Sequence, residues 1–195
     1  MQLILMIRHG EPDLSAGSVD PPLSKQGLRQ AEETAARLSQ EPLDALFSSP
    51  LLRARQTLDP LAQKLGLTPE IVEGVAEIDY WGGRYLSLEE LRKAGGAAWE
   101  DFLRDPFGTL GGDEKAFLET VANAMKGLTQ RGGKRVAVAT HGFPINAMLS
   151  ETMNMHGLTN FTPHHGSVTR LHVDNAGQLR VLSINEMTHI TRDAH

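Results

Sequence analysis

The residues Leu3-Ile4-Leu5-Met6-Ile7 constrain the fold more than any other stretch. An uninterrupted apolar run, rather than an alternating one, reads as a short strand buried on both faces, as in parallel sheets covered by helices on either side. The run ends at Arg8-His9, and Gly10 and Pro12 then punctuate the backbone. A cation and an imidazole therefore stand side by side where a core strand stops. Ligand sites in open α/β sheets lie just outside the carboxyl ends of strands. A lone Arg-His pair could equally mark where a strand meets water, so the rest of the chain decides.

Residues 10–23 form a polar loop with Gly17 and Pro21-Pro22. Ser24 can cap a helix on which Leu28, Ala31, Ala35 and Leu38 recur at helical spacing, and Glu41-Pro42 ends it. Leu43 to Ser48 is a second strand closed by the Ser48-Ser49-Pro50 turn. Pro50 leads into a helix carrying Leu51, Leu58, Leu61, Ala62 and Leu65, which Pro60 should kink or split. Ile71-Val72 is a short strand, and Glu73 to Tyr85 a glycine- and aromatic-bearing loop. Ser87-Leu88-Glu89-Glu90 has capping-box spacing and opens a short helix. Residues 95–112, with five glycines, read as an excursion that covers something. Asp113 caps an amphipathic helix with Phe117, Val121, Met125 and Leu128 on one face.

Arg135 to Thr140 is a further strand, ending in His141-Gly142, and Pro144 sits where a first helical turn tolerates it. Val168–Val173 and Leu179–Ile184 are strands joined through Asp174-Asn175-Ala176-Gly177 as a hairpin, and the tail from Glu186 carries no clear signal. Strands alternating with helices predict an α/β fold: a three-layer sandwich with a largely parallel central sheet, helices on both faces, and the late strands forming a hairpin. Arg8-His9, Ser48-Ser49, Glu77 and His141 each fall at or just after the end of such a strand, hence along one sheet edge.

At 195 residues the chain suits a single domain, 1–195, with a sizeable core. The absence of cysteine excludes disulfides and thiolate sites. The amino terminus lacks the pattern of a signal peptide, and no apolar run approaches a bilayer span, so no membrane association and a cytoplasmic location are expected. A formal charge of −5 argues against broad nucleic-acid binding but leaves an anionic small-molecule substrate open. Nothing fixes the oligomeric state, and monomer and homodimer both stay open.

Arg8-His9-Gly10-Glu11 after an amino-terminal strand resembles the histidine phosphatase superfamily, also called phosphoglycerate-mutase-like. The resemblance continues through Asp20-Pro21-Pro22-Leu23-Ser24, Gly27, Gln30-Ala31, Ser48-Ser49-Pro50-Leu51, Arg53-Ala54 and Gln56-Thr57. Glu77-Ile78-Asp79-Tyr80, Gly111-Gly112-Asp113-Glu114, Thr140-His141-Gly142 and Ser167-Val168-Thr169 follow in the family's order. Any one motif is weak, but the ordered series is specific.

The resemblance implies catalytic roles for five residues. His9 would be the nucleophile, forming a phosphohistidine, with a backbone carbonyl near Gly10 as the acceptor that fixes its tautomer. Arg8, Arg53 and His141 would surround the phosphoryl oxygens, aided by backbone N–H groups behind Gly142 and a hydroxyl at Ser15. Glu77 would protonate the leaving oxygen and then activate water. Those cations make a divalent metal unnecessary, so no metal and no cofactor are expected, and the partner is a small phosphorylated substrate.

Glu11 is expected to brace the loop. His164-His165 cannot face one way on a strand and suggest a pocket rim rather than a metal pair. His156, His172, His189 and His195 read as incidental, and Trp81, Tyr85, Trp99 and Phe102 as core or lid packing. Pro12 and Ser15 replace residues that many members carry as threonine and asparagine, Glu77-Ile78-Asp79-Tyr80-Trp81-Gly82-Gly83 departs from the usual phosphatase motif, and His165 stands where an asparagine is expected. These departures bear on substrate more than on chemistry.

The leading expectation is a phosphomonoester hydrolase, similar to broad-specificity and α-ribazole phosphatases. A phosphoglycerate mutase is the alternative, but only Arg84 and Arg92 lie where its extra cations would be. A non-catalytic phospho-ligand binder is the third reading, and such a protein often lacks the nucleophile or the acid.

Overall fold

Gln2–Arg8 forms β1, and its alternate side chains enter two separate cores. Ile4 and Met6 join one cluster, Leu5 and Ile7 the other, and all four are essentially inaccessible to water. This is why the run carries no polar residue. The computed structural model of the protein describes residues 2–81, 88–131 and 133–191.

Five more strands accompany β1 among the described residues: β2 (Ala45–Ser48), β3 (Glu70–Ile71), β4 (Arg135–Thr140), β5 (Val168–Val173) and β6 (Leu179–Glu186). The sheet runs β3-β2-β4-β1-β5-β6. Its first four strands are mutually parallel, β5 is antiparallel to β1, and β6 is antiparallel to β5. The largely parallel sheet with a late hairpin is thus observed as a mixed sheet.

Helices α1 (Lys25–Leu38) and α2 (Leu52–Leu65) cover one face. There Ala137 and Ala139 of β4 are small enough for helix side chains such as Ala54, Leu58 and Leu61 to pack close. The other face is covered by α6 (Glu114–Arg131) and α7 (Gly142–Met153), with Phe117, Val121, Met125 and Leu128 of α6 buried as their spacing predicts. Asp113 accepts from Ala116 N and Ser24 from Gly27 N, so both anticipated caps are present.

One expectation is corrected and two are narrowed. Leu28 is exposed on α1, and the buried stripe instead runs through Gly27, Gln30, Ala31, Thr34 and Ala35. Glycine faces inward there because the helix touches backbone. Helix α2 continues unbroken through Pro60 rather than splitting. The expected short helix is α3 (Leu88–Ala94), and the glycine-rich excursion 95–112 that follows is mostly helical, with α4 (Gly96–Arg104) and α5 (Pro106–Leu110). Gly95 and Gly96, with φ of 61° and 67°, make the turn between α3 and α4, a conformation that costs glycine little. Phe102 and Phe107 bury these helices against Phe143. Ser87, the expected capping residue, lies outside the described residues.

Candidate active site

The carboxyl ends of β1, β2 and β4 and the amino end of antiparallel β5 meet along one edge, which carries a cavity of about 330 Å³. Arg8, His9, Arg53, Glu77, Asp79 and Gly142 line its polar end.

His9 follows β1 directly and is held by backbone on two sides. Its N–H donates to Thr140 O at 2.9 Å, and Gly166 N–H donates to Arg8 O at 3.0 Å. The ring Nδ1 donates to Gly10 O at 2.7 Å, the backbone acceptor expected from the sequence. That bond fixes the tautomer and leaves Nε2 as the atom with the lone pair. Burial, then the charges of His141, Arg53, His165 and Arg8, holds the imidazole well below its usual range, so it is neutral at neutral pH.

The loop after His9 is clamped from below. Gly10 N–H donates to Thr57 Oγ1, whose hydroxyl donates to Arg53 O, so one side chain ties the nucleophile's loop to the first turn of α2. Gly27 lies so close that a Cβ there would sit 2.1 Å from Glu11 O. Glu11 braces this loop, its carboxylate accepting from Ser24 Oγ at 2.8 Å.

Arg53 enters from α2 and is fully buried, as a charge can be only when paired. Its Nη2 donates to both Asp79 carboxylate oxygens, at 3.1 and 2.9 Å, and its Nη1 lies 3.4 Å from Asp20 Oδ1. Asp20 also accepts from Leu52 N–H, capping α2, whose Leu51 N-cap has no side chain for the task. Arg8 reaches back to donate from Nη1 to Pro163 O at 2.5 Å.

Glu77 is held by both neighbours of the edge. Thr140 Oγ1 of β4 donates to Val75 O at 2.7 Å, which pins the loop carrying Glu77. The Glu77 carboxylate accepts from Ile78 N–H at 3.1 Å and from Phe143 N–H, in the first turn of α7, at 3.3 Å. Burial, with the Asp79 charge second, nevertheless pushes it up to about 7. A carboxyl at that value can give and take a proton near neutrality.

The ring centroid of His141 is 5.0 Å from that of His9, and its Nε2 is 2.7 Å from Ser49 Oγ at the end of β2. Burial, then Arg53 and Arg8, lowers it well below its usual range. His141 is therefore a neutral imidazole rather than the expected cation, and the charge at this end comes from Arg8 and Arg53. Its Nδ1 is buried without a hydrogen-bond partner among the described residues, a polar atom that a bound oxygen could satisfy.

Ser15 is not brought into the site. It sits exposed in the short helical turn Leu14–Ala16, its hydroxyl donating to Asp13 Oδ1 at 2.6 Å, a local bond that draws it back onto its own loop. Trp81 is half exposed against Tyr80 and does not line the cavity, whereas Trp99 and Phe102 do. Gly82, Gly83, Arg84, Tyr85 and His195 lie outside the described residues. His189 is less incidental than expected, its Nε2 donating to Gly166 O at 3.0 Å.

Two neighbours of the nucleophile carried weaker sequence signals. His165, just before antiparallel β5, has its ring centroid 5.1 Å from that of His9 with the planes tilted by 47°, and donates from Nδ1 to His9 O. Asp79, the clasp on Arg53, was visible only as the second acid of the Glu77 motif.

A profile of the histidine phosphatase superfamily (branch 1) matches residues 4–186. The chain belongs to the histidine phosphatase superfamily. Phosphoserine phosphatase 1 of Hydrogenobacter thermophilus is 27% identical over 97% of this chain and 95% of its own. A 2,3-bisphosphoglycerate-dependent phosphoglycerate mutase of Bradyrhizobium diazoefficiens is 29% identical, covering 76% of this chain and 79% of its own. A solved phosphoserine phosphatase from Entamoeba histolytica, in complex with phosphoserine, superposes with a TM-score of 0.78 over 98% of this chain and 100% of its own, at 23% identity. This histidine phosphatase thus shares its fold with that enzyme.

Proposed function

We propose that the protein hydrolyses small phosphomonoesters through a phosphohistidine at His9, without a metal ion. The Nδ1 bond of His9 to Gly10 O carries the reading, because it commits the ring to attack through Nε2. Arg8 and Arg53 bind the phosphoryl oxygens and balance the charge that spreads over them during transfer, with His141 Nδ1 and the first N–H groups of α7 as further donors.

In the first step Nε2 bonds to phosphorus as the ester P–O bond breaks, and Glu77 gives its proton to the leaving oxygen. In the second, a water oxygen bonds to phosphorus and gives a proton to Glu77. The P–N bond then breaks and inorganic phosphate departs, restoring neutral His9 and protonated Glu77. One carboxyl serves both steps because they are sequential.

Rapid quench into alkali with a labelled ester tests this. Wild type should accumulate acid-labile, alkali-stable label at one per chain, survive EDTA, and lose both label and turnover in His9→Ala. Retention of more than about a tenth of the rate by His9→Ala would favour direct attack by water. The mutase relative and the presence of Arg92 at the cavity support a second reading, transfer to another hydroxyl. Under it the label would appear in a second phosphoester instead of inorganic phosphate.

A further inference from the structure

Beyond its charged end the cavity changes character. Trp99 and Leu103 of α4, Leu110 of α5, and Leu158 and Phe161 after α7 form its far wall. Trp99 stacks on buried Phe102 with ring centroids 5.6 Å apart and planes 19° apart. Leu103 is 44% exposed although it lines the cavity, an apolar side chain that a ligand could remove from water.

Two of the polar groups near this wall, Asn146 and Asp79, are already engaged. The Asn146 amide donates to Gly142 O and Phe161 O, while its oxygen accepts from Phe161 N–H. Both Asp79 oxygens accept from Arg53. Thr159, Thr162 and exposed Arg92 are the remaining polar side chains of that wall among the described residues. A phosphoamino acid would bring an ammonium close to the phosphate. The carboxylates it would meet are Glu77, which must hold a proton, and Asp79, which is clasped. A sugar phosphate would bring a ring of hydroxyls, more than Thr159, Thr162 and Arg92 can match, so several would lose water without a partner. An apolar leaving group requires none of these and covers the exposed edge of Leu103.

We infer that the preferred substrates are phosphomonoesters of apolar alcohols or phenols, seated on the Trp99–Leu103–Phe161 wall with the phosphate at His9. The inference rests on the hydrolase reading above and names the substrate class for that same site.

The experiment is a ladder of ethyl, butyl, hexyl and benzyl phosphates against phosphoserine and glucose 6-phosphate, with kcat/KM read from phosphate release by the whole chain. Unactivated alkyl leaving groups differ little in basicity, so the ladder reports contact with the wall rather than bond chemistry. From ethyl to hexyl kcat/KM should rise at least about tenfold, and hexyl phosphate should exceed both polar esters. In Leu103→Glu the hexyl-to-ethyl ratio should fall about tenfold. A flat ladder, or preference for either polar ester, overturns the apolar assignment and leaves the hydrolase reading standing. If no ester is turned over, the hydrolase reading fails. Calorimetry with hexyl- and ethylphosphonate then decides the substrate class: at least tenfold tighter binding of the former upholds it, and equal binding overturns it.

Discussion

Substituting Gly27 by alanine should cripple turnover while leaving the protein folded. A Cβ at this position would lie 2.1 Å from Glu11 O and 2.9 Å from Glu11 N, against an ordinary contact of 3.4 Å or more, so helix and loop must separate by about 1 Å. Helix α1 resists retreat because Thr34 Oγ1 donates to Gly166 O and Gln30 Oε1 accepts from Glu11 N–H. On its other side the loop is held through Gly10 N–H on Thr57 and His9 N–H on Thr140 O. The strain therefore falls on residues 9–12, where a misplacement of ~1 Å costs on the order of 100-fold in rate. Stability should change much less. Alanine gains up to about 1 kcal/mol over glycine in a helix, while overpacking costs roughly 1–3 kcal/mol. At ~2–4 °C per kcal/mol for a chain of this size, Tm should fall by less than about 10 °C. The assay is kcat/KM with p-nitrophenyl phosphate alongside a thermal melt. Wild-type activity with an unchanged melt would refute the claim that this backbone contact positions His9.

The pH profile of kcat/KM for an alkyl phosphate should peak on the mildly acidic side. His9 must be deprotonated and titrates well below its usual range, whereas Glu77 must be protonated and titrates at about 7; an alkaline limb well above 8 would exclude Glu77 as the acid. Glu77 also bears on stability: its folded value of about 7 lies above the 4.5 of an unperturbed glutamate, so the fold favours the protonated form. The penalty is absent below about pH 4.5, grows up to about 7 and is then constant, reaching roughly 3 kcal/mol. Glu77→Gln should therefore be more stable than wild type to urea at pH 8, with the gain shrinking towards pH 5, and a pH-independent gain would contradict this. In Glu77→Ala, rapid quench should show phosphorylation of His9 slowed far more for an alkyl than for an aryl ester, and equal slowing would pass the role to another group.

Much of the site was legible because the nucleophile follows the apolar run that stops at Ile7, the acid lies in the loop after Ile71-Val72, and the guanidinium sits in the first turn of the helix that Pro50 leads into. His165 was harder to place because β5 runs antiparallel, so the site receives the strand's beginning rather than its end. The Asp79–Arg53 pair joins residues whose sequence spacing carries no periodic signal. Ser15 follows local chemistry, since Asp13 is two residues away and captures its hydroxyl. Helices α4 and α5 were hidden by their glycines. Burial of Phe102 and Phe107 against Phe143 stabilises them where intrinsic propensity does not.

The position of β1 between β4 and β5 has a consequence during synthesis. Its partners are residues 135–140 and 168–173, so an emerging chain carries Leu3–Ile7 with both edges bare until most of the protein has been made. An apolar segment with open edges invites pairing between nascent chains, and contacts this distant in sequence form slowly. A chain halted before Gly166 would keep one of those edges open, and His9 would lack the Gly166 bond that helps fix its backbone. Truncated products should therefore be both inactive and prone to clump, and chaperone demand should be set by the wait for β5.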